Sequence, residues 1–313
     1  MLSFPYSVAS YSAYSRPSLE AAHFPPVATE ENYIDAQKVV KTSPLPVGIA
    51  KMIGLIKDLW FTIGTFFSRI EHAPNYGKVI GNKETAKGIV VLIHGLNGHA
   101  SQMDGHAKAF KQKVGEDILI YQVQVDKKGN CSKGEAVQRI TDTVLPLLQE
   151  RPALKLYAHG ISNGGWLASQ LAVDAIDAGI QGERIMVNAN SSPLYGTKVM
   201  CDPALAPWKQ KIWKWLVQSP LGGNHEEVIY KDFSWGSEAG KQIIREIRRA
   251  AEQGVQFEFE GGFADSKVTP PSFYPKNVKD ARYFHPNSIQ GHSSIIASQR
   301  QRQVESACAF LSS

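Results

Sequence analysis

Lys155-Leu156-Tyr157-Ala158-His159-Gly160-Ile161-Ser162-Asn163-Gly164-Gly165-Trp166 decides how this chain is read. Leu156, Tyr157 and Ala158 form a short apolar run, as at the end of a buried strand. After Trp166, the spacing of Leu167, Leu171, Ala172, Ala175 and Ile176 predicts a helix. Between them stands Gly160-x-Ser162-x-Gly164, a sharp turn with a serine at its apex. A serine held proud of a sheet edge needs glycines two before and two after it, where strand and helix backbones crowd together. The helix that follows brings its N-terminus to the serine, which favours negative charge developing there. The bland alternative is a Gly/Ser loop joining a strand to a helix.

Outward from this turn, strands and helices alternate. Gly88-Ile89-Val90-Val91-Leu92-Ile93 is continuously apolar, as expected of a strand buried on both faces. Helices are predicted over 101–114, 134–150, 163–179, 237–252 and 293–311. Further strands are predicted over 117–123, 155–159, 184–189, 255–260 and near 281–284. The rhythm implies an α/β domain, a mostly parallel central sheet with helices on both faces, over 76–313. Ligands of such sheets bind at the carboxyl ends of the strands, where His94, Ser162 and Ser191 lie. Residues 192–236 break the rhythm with four prolines and four tryptophans, and read as a cap or lid insertion.

The chain has 313 residues, 43% hydrophobic and 20% charged, enough for a large soluble core. Its net charge of +5 is mild, and no basic-and-aromatic motif for DNA or RNA appears. Three cysteines, Cys131, Cys201 and Cys308, form neither a disulfide framework nor a C-x-x-C zinc pair. Met1–Pro17 lacks the basic segment and apolar core of a secretory signal. A cytoplasmic location is expected, with peripheral membrane contact, export by another route being left open.

Residues 1–47 mix Ser, Tyr and Pro without period and read as an irregular extension. The segment 48–75 carries an amphipathic helix. Ile49, Met52, Ile53, Ile56, Leu59, Trp60, Ile63, Phe66, Phe67 and Ile70 share one face, and Lys51, Lys57, Asp58, Thr62, Thr65 and Arg69 the other. Lys57 and Asp58 at its middle cost several kcal/mol in a bilayer, which argues against a span. The expectations are a helix packed on the main domain or one lying on a membrane surface.

A serine nucleophile needs a base, and the base an orienting acid. Asp265 follows the strand at 255–260, and His292 follows the last strand. His285 rivals His292, whereas Glu260 and Asp280 rival Asp265. His159 lies inside the strand-turn, too close in sequence. The N–H groups of Leu96 and Asn163 are candidate oxyanion donors. His94, His99 and His106 raise a metal site, but no carboxylate pattern supports one, so no metal or other cofactor is expected. Cys131 reads as a bystander, and no Gly-Lys-Ser/Thr marks a phosphate loop.

Four pieces in order resemble the α/β-hydrolase family, and within it the lipase-like serine esterases. They are Ile93–Gly98, His159–Gly165, Gly262–Val268 and Gly291-His292. The resemblance covers roughly 78–313. It implies a nucleophile at Ser162, an acid at Asp265, a base at His292 and an oxyanion hole at Leu96 and Asn163. A fifth piece, Asn190–Thr197, is similar to the Pro-His-x-Gly-Thr segment of many lipases, with Leu194 in place of the histidine. That departure weakens assignment to true triacylglycerol lipases.

The function this implies is cleavage of carboxylic esters of a lipid-like acyl substrate through an acyl-enzyme. Thioester cleavage or acyl transfer by the same triad is the enzymatic alternative. A hydrolase-like scaffold docking to a membrane or protein is the non-catalytic one. The expected partners are a small ester or lipid and a membrane surface met through 49–70 or 208–216. In the latter stretch, Trp208, Ile212, Trp215 and Leu216 gather beside lysines, as at a lipid interface or over an acyl pocket.

Overall fold

The sheet is built outward from β2, Gly88–Ile93, whose six residues are all buried. The computed structural model describes residues 45–72, 78–114, 117–125, 131–197, 232–262, 264–265, 267–268, 270–284 and 291–313. The other strands are β1 (Lys78–Ile80), β3 (Ile118–Val123), β4 (Lys155–Ile161), β5 (Ile185–Asn190), β6 (Gln256–Glu260) and β7 (Arg282–Phe284). Their order is β1-β3-β2-β4-β5-β6-β7. Among the described residues, only β1 runs antiparallel to its neighbour, β3. The remaining pairs are parallel, which requires a crossover between each successive pair.

Alternation in β2 divides the core into two layers. Val90 and Leu92 point to one face, with Ile120, Tyr157 and Met186, beneath α2 (Asp104–Val114) and α7 (Ile295–Ser312). Ile89, Val91 and Ile93 point to the other, with Leu156, Ala158 and Val187. There they meet α3 (Lys133–Glu150), α4 (Asn163–Asp177) and α5 (Glu238–Glu252). The chain passes from β3 on one side of β2 to β4 on the other, so the strand order reverses beside β2. The carboxyl ends of β2 and β4 flank that switch point, where open α/β sheets bind ligands.

The predicted helix at 101–114 is divided. His99 caps a short 3₁₀ turn, Ala100–Met103, and α2 begins at Asp104. A four-residue helix, α6 (Pro270–Phe273), interrupts the stretch between β6 and β7. Of the insertion, residues 198–231 lie outside the described residues, and Trp208–Leu216 with them. Its two described ends meet in a parallel bridge between Thr197 and Ser234.

Helix α1, Val47–His72, packs against the domain, but not through its wide apolar face. Ala50, Gly54 and Asp58, spaced by one turn, are buried. Ile49, Met52, Leu55, Ile56, Leu59 and Trp60 are exposed, Trp60 at 70%. The cause is a backbone-to-backbone fit. A Cβ on Gly54 would stand 3.0 Å from the Ala264 carbonyl oxygen and 3.1 Å from Gly291 Cα, and a Cβ on Gly291 would collide with the Gly54 carbonyl. Glycine on both sides lets the helix approach that closely. A large apolar residue facing the domain would hold it away. Among the described residues, no helix is long and apolar enough to cross a membrane.

Candidate active site

Ser162 stands between β4 and α4 with φ 54° and ψ −124°, a backbone region open almost only to glycine. The surroundings enforce it. A Cβ on Gly160 would collide with the Gly164 backbone, and one on Gly164 with the Ile93 carbonyl. The Ser162 N–H donates to the Asn190 carbonyl at 2.8 Å, tying the turn to the end of β5. The serine is half-buried at the N-terminus of α4. The first amide of that helix, on Asn163, has no acceptor within the helix.

The loop after β2 comes up beside it. A Cβ on Gly95 would lie 3.0 Å from Ser162 Cβ, so glycine is what allows this loop to touch the serine turn. His94 braces the loop. Its Nε2 accepts from the Val125 N–H at 3.0 Å, which leaves Nδ1–H to donate to the Gly95 carbonyl at 2.7 Å. Both ring nitrogens are therefore engaged, and the ring is held as a neutral tautomer. Asn97 takes φ 58° at the tip. Leu96 thus follows the glycine that touches the serine turn, and Asn163 follows Ser162 at the start of α4.

Asp265 and His292 meet, 27 positions apart in sequence, at 2.7 Å between Oδ2 and Nδ1. The carboxylate is an acceptor, so Nδ1 carries the hydrogen and Nε2 is the basic nitrogen. The other oxygen of Asp265 accepts from the N–H groups of Lys267 and Val268 at 2.8 and 2.9 Å. Both side chains are buried. The loop after β6 is held by Tyr274, whose hydroxyl lies 2.7 Å from the Gly261 carbonyl and 2.8 Å from that of Phe284.

The rival acids are placed elsewhere. Glu260 is fully buried, and it accepts from Asn188 at 2.8 Å, Asn190 at 3.2 Å and Gln303 at 2.6 Å, besides pairing with Arg302. Asp280 is exposed on a turn with φ 53°. His285 lies outside the described residues. His159 is buried behind the turn, with Nδ1 2.8 Å from Asn188 Oδ1 and its ring stacked on His106 at 4.8 Å. Burial, the largest cause, pushes its pKa down to about 4. His106 is likewise pushed well below the usual imidazole range, chiefly by burial, with its Nε2 2.6 Å from Gln303 Oε1. Leu194 is fully buried in the core, a packing role. Cys131 is buried, just before the Ser132–Glu135 capping box that starts α3. Among the described residues, no group of three His, Cys, Asp or Glu side chains has the geometry to hold a metal ion.

One residue beside the site was read from sequence only as part of the polar face of the helix at 48–75. The Asp58 carboxylate of α1 accepts from the backbone N–H groups of His292, Ser293 and Ser294 at 2.7, 2.8 and 2.9 Å. The only signal in the sequence was an acid amid a run of apolar residues.

No protein-family model and no curated protein sequence matches the chain. Solved structures do. A monoacylglycerol lipase from Paleococcus ferrophilus aligns with 75% of this chain and 97% of its own, at 19% identity and a TM-score of 0.45. The type II thioesterase BorB of the borrelidin biosynthetic cluster aligns with 77% of this chain and 98% of its own, at 16% identity and 0.46. Rv0554 from Mycobacterium tuberculosis aligns with 75% of this chain and 92% of its own, at 12% identity and 0.50. With its strand order, its single antiparallel edge strand and its serine on the turn after β4, the chain has the α/β-hydrolase fold.

Proposed function

We propose that the protein is a serine hydrolase that cleaves carboxylic esters bearing a lipid-like acyl chain. The observation that carries this reading is the 2.7 Å Asp265–His292 pair at the sheet edge where Ser162 occupies its strained turn. Asp265 holds the imidazole with Nδ1 protonated, so Nε2 takes the proton of Ser162 as the hydroxyl attacks the ester carbonyl. The N–H groups of Leu96 and Asn163 receive the oxyanion, aided by the α4 N-terminus. His292 then gives its proton to the leaving alcohol, and an acyl-enzyme remains on Ser162. Water, deprotonated by the same nitrogen, releases the acid.

Helix α1 supports an apolar tail on the substrate. Its outer face presents Ile49, Met52, Leu55, Ile56, Leu59 and Trp60 to solvent, next to Lys51 and Lys57. An apolar stripe beside cations suits the surface of an anionic membrane, and we place a lipid surface there.

Hydrolysis of p-nitrophenyl esters from acetate to palmitate tests the reading. Wild type is expected to turn them over with a preference for longer chains, and Ser162→Ala to lose about 10⁴-fold or more. Turnover confined to thioesters moves the assignment to thioester cleavage. Absence of all turnover, with no labelling by a fluorophosphonate, leaves a scaffold. Cosedimentation with vesicles of mixed neutral and anionic lipid tests the surface, and Trp60→Glu with Leu59→Glu should abolish it.

A further inference from the structure

We propose that Asp58 is a positioning residue for His292: helix α1, outside the sheet and its crossovers, fixes the backbone that carries the base. This rests on the triad reading above.

A general base needs two constraints. The ring must hold the right tautomer and tilt, and the backbone under it must stay put. Asp265 supplies the first, through Nδ1 alone. The second falls to Asp58. His292, Ser293 and Ser294 precede the first turn of α7, so their amides find no acceptor within that helix. One carboxylate serves all three, with Oδ2 on His292 N–H and Oδ1 shared by Ser293 and Ser294. Hydrogen bonds to a charged acceptor are roughly twice as strong as neutral ones, and here they converge on three consecutive residues.

The placement is unusual for an acid with only a capping role. Asp58 is 6% exposed, and burying a carboxylate is costly without several donors. Its own helix is apolar on the outside, and a solvent-facing position one step away would avoid that cost. The neighbouring contacts point the same way. Gly291, next to His292, is pressed against the Gly54 carbonyl and the Asp58 carboxyl group, and its N–H donates to Ser294 Oγ at 2.9 Å. The base is thus gripped from below by one turn of α1, Gly54 to Asp58.

The test compares Asp58→Ala and Asp58→Asn with wild type in two readouts. The first is kcat and KM on a short, soluble ester. The second is the low-field ¹H resonance of the Nδ1 proton shared by His292 and Asp265. Positioning predicts a kcat about 100-fold lower for alanine, the loss that about 1 Å of misplacement produces, with KM little changed. It also predicts a lost or exchange-broadened resonance. Asparagine keeps one acceptor oxygen but sets an N–H₂ against the remaining amide, so it falls between. Phe61→Ala, which removes apolar packing one turn beyond Asp58 and leaves the three hydrogen bonds and the Gly54–Gly291 contact in place, should lower Tm and leave kcat and the resonance as in wild type. Should Asp58→Ala fail to fold, Asp58→Asn and Phe61→Ala still make the comparison. The proposal is overturned if folded Asp58 variants keep both kcat and the resonance, or lose them no more than Phe61→Ala does. The resonance decides the matter even where no ester is turned over, so failure of the hydrolase reading and failure of this one are separable.

Discussion

The proposed nucleophile and the proposed base of this protein are held by different means. Ser162 is fixed by the backbone itself, since Gly160, Gly164 and Gly95 admit neighbours so close that a single added carbon would collide or press on them. Every one of those contacts lies within the sheet and its first crossovers. His292 is fixed by side-chain carboxylates arriving from separate parts of the chain, Asp265 on its ring and Asp58 on its amides. Sterically enforced geometry leaves no intermediate setting, whereas geometry enforced by hydrogen bonds can be weakened in steps. The two halves of the site should therefore fail differently.

The sharpest way to break the contrast is Gly160→Ala. Its methyl group would collide with the Gly164 backbone, which has no flexible end to give way. Loss of the turn, of all hydrolysis and of about 4 kcal/mol or more of stability is expected, measured by urea unfolding alongside activity. A variant that folds and turns over ester would show that the serine turn is more pliant than the steric account allows.

Acid should act next, and on the nucleophile's side. His159 in β4 has its pKa lowered from 6.5 to about 4, mainly by burial, while it bonds Asn188 of β5. The folded state then binds fewer protons than the unfolded chain, so stability rises with pH across that window. This contribution is complete above about pH 6.5 and disappears as pH falls toward about 4, roughly 3 kcal/mol in all. Tm followed between pH 7 and pH 4 should show the decline, and His159→Gln should flatten it.

The smallest effect sharpens the base's side. Gly54→Ala gains up to about 1 kcal/mol of helix propensity, but its Cβ meets Ala264 and Gly291 at 3.0–3.2 Å. The two terms oppose each other, so Tm should hardly move. Displacement of Gly291 by a few tenths of an ångström should still lower kcat about 10-fold. Unchanged kcat would mean that the helix and the base are not coupled.

This contrast also sets what could be read from the sequence. The turn at Ser162 and the strand run at 88–93 are local patterns, in which residue type and spacing answer to a nearby backbone. The sheet followed from them. The inverted docking of α1 did not, because helical periodicity shows that a helix has an apolar face but not which face a domain will accept. Ala50, Gly54 and Asp58 look unremarkable in the helix and acquire meaning only opposite Gly291. The engagement of Glu260 by Asn188, Asn190 and Gln303 was invisible for the same reason, since its partners come from β5 and α7.

The clamp on His292 also bears on how the protein comes to be folded. Its hydrogen bonds join residues 234–236 positions apart, whereas Ser162 bonds Asn190, 28 positions on. Closing so long a loop costs more entropy and is rewarded only after the intervening strands have paired. Assembly is therefore expected to run from the serine turn outward, with the His292 segment locked late. On that order a chain partway through folding already displays the Ser162 turn but lacks the seated His292, so, under the proposed triad, activity arrives with the final docking event rather than with collapse of the sheet.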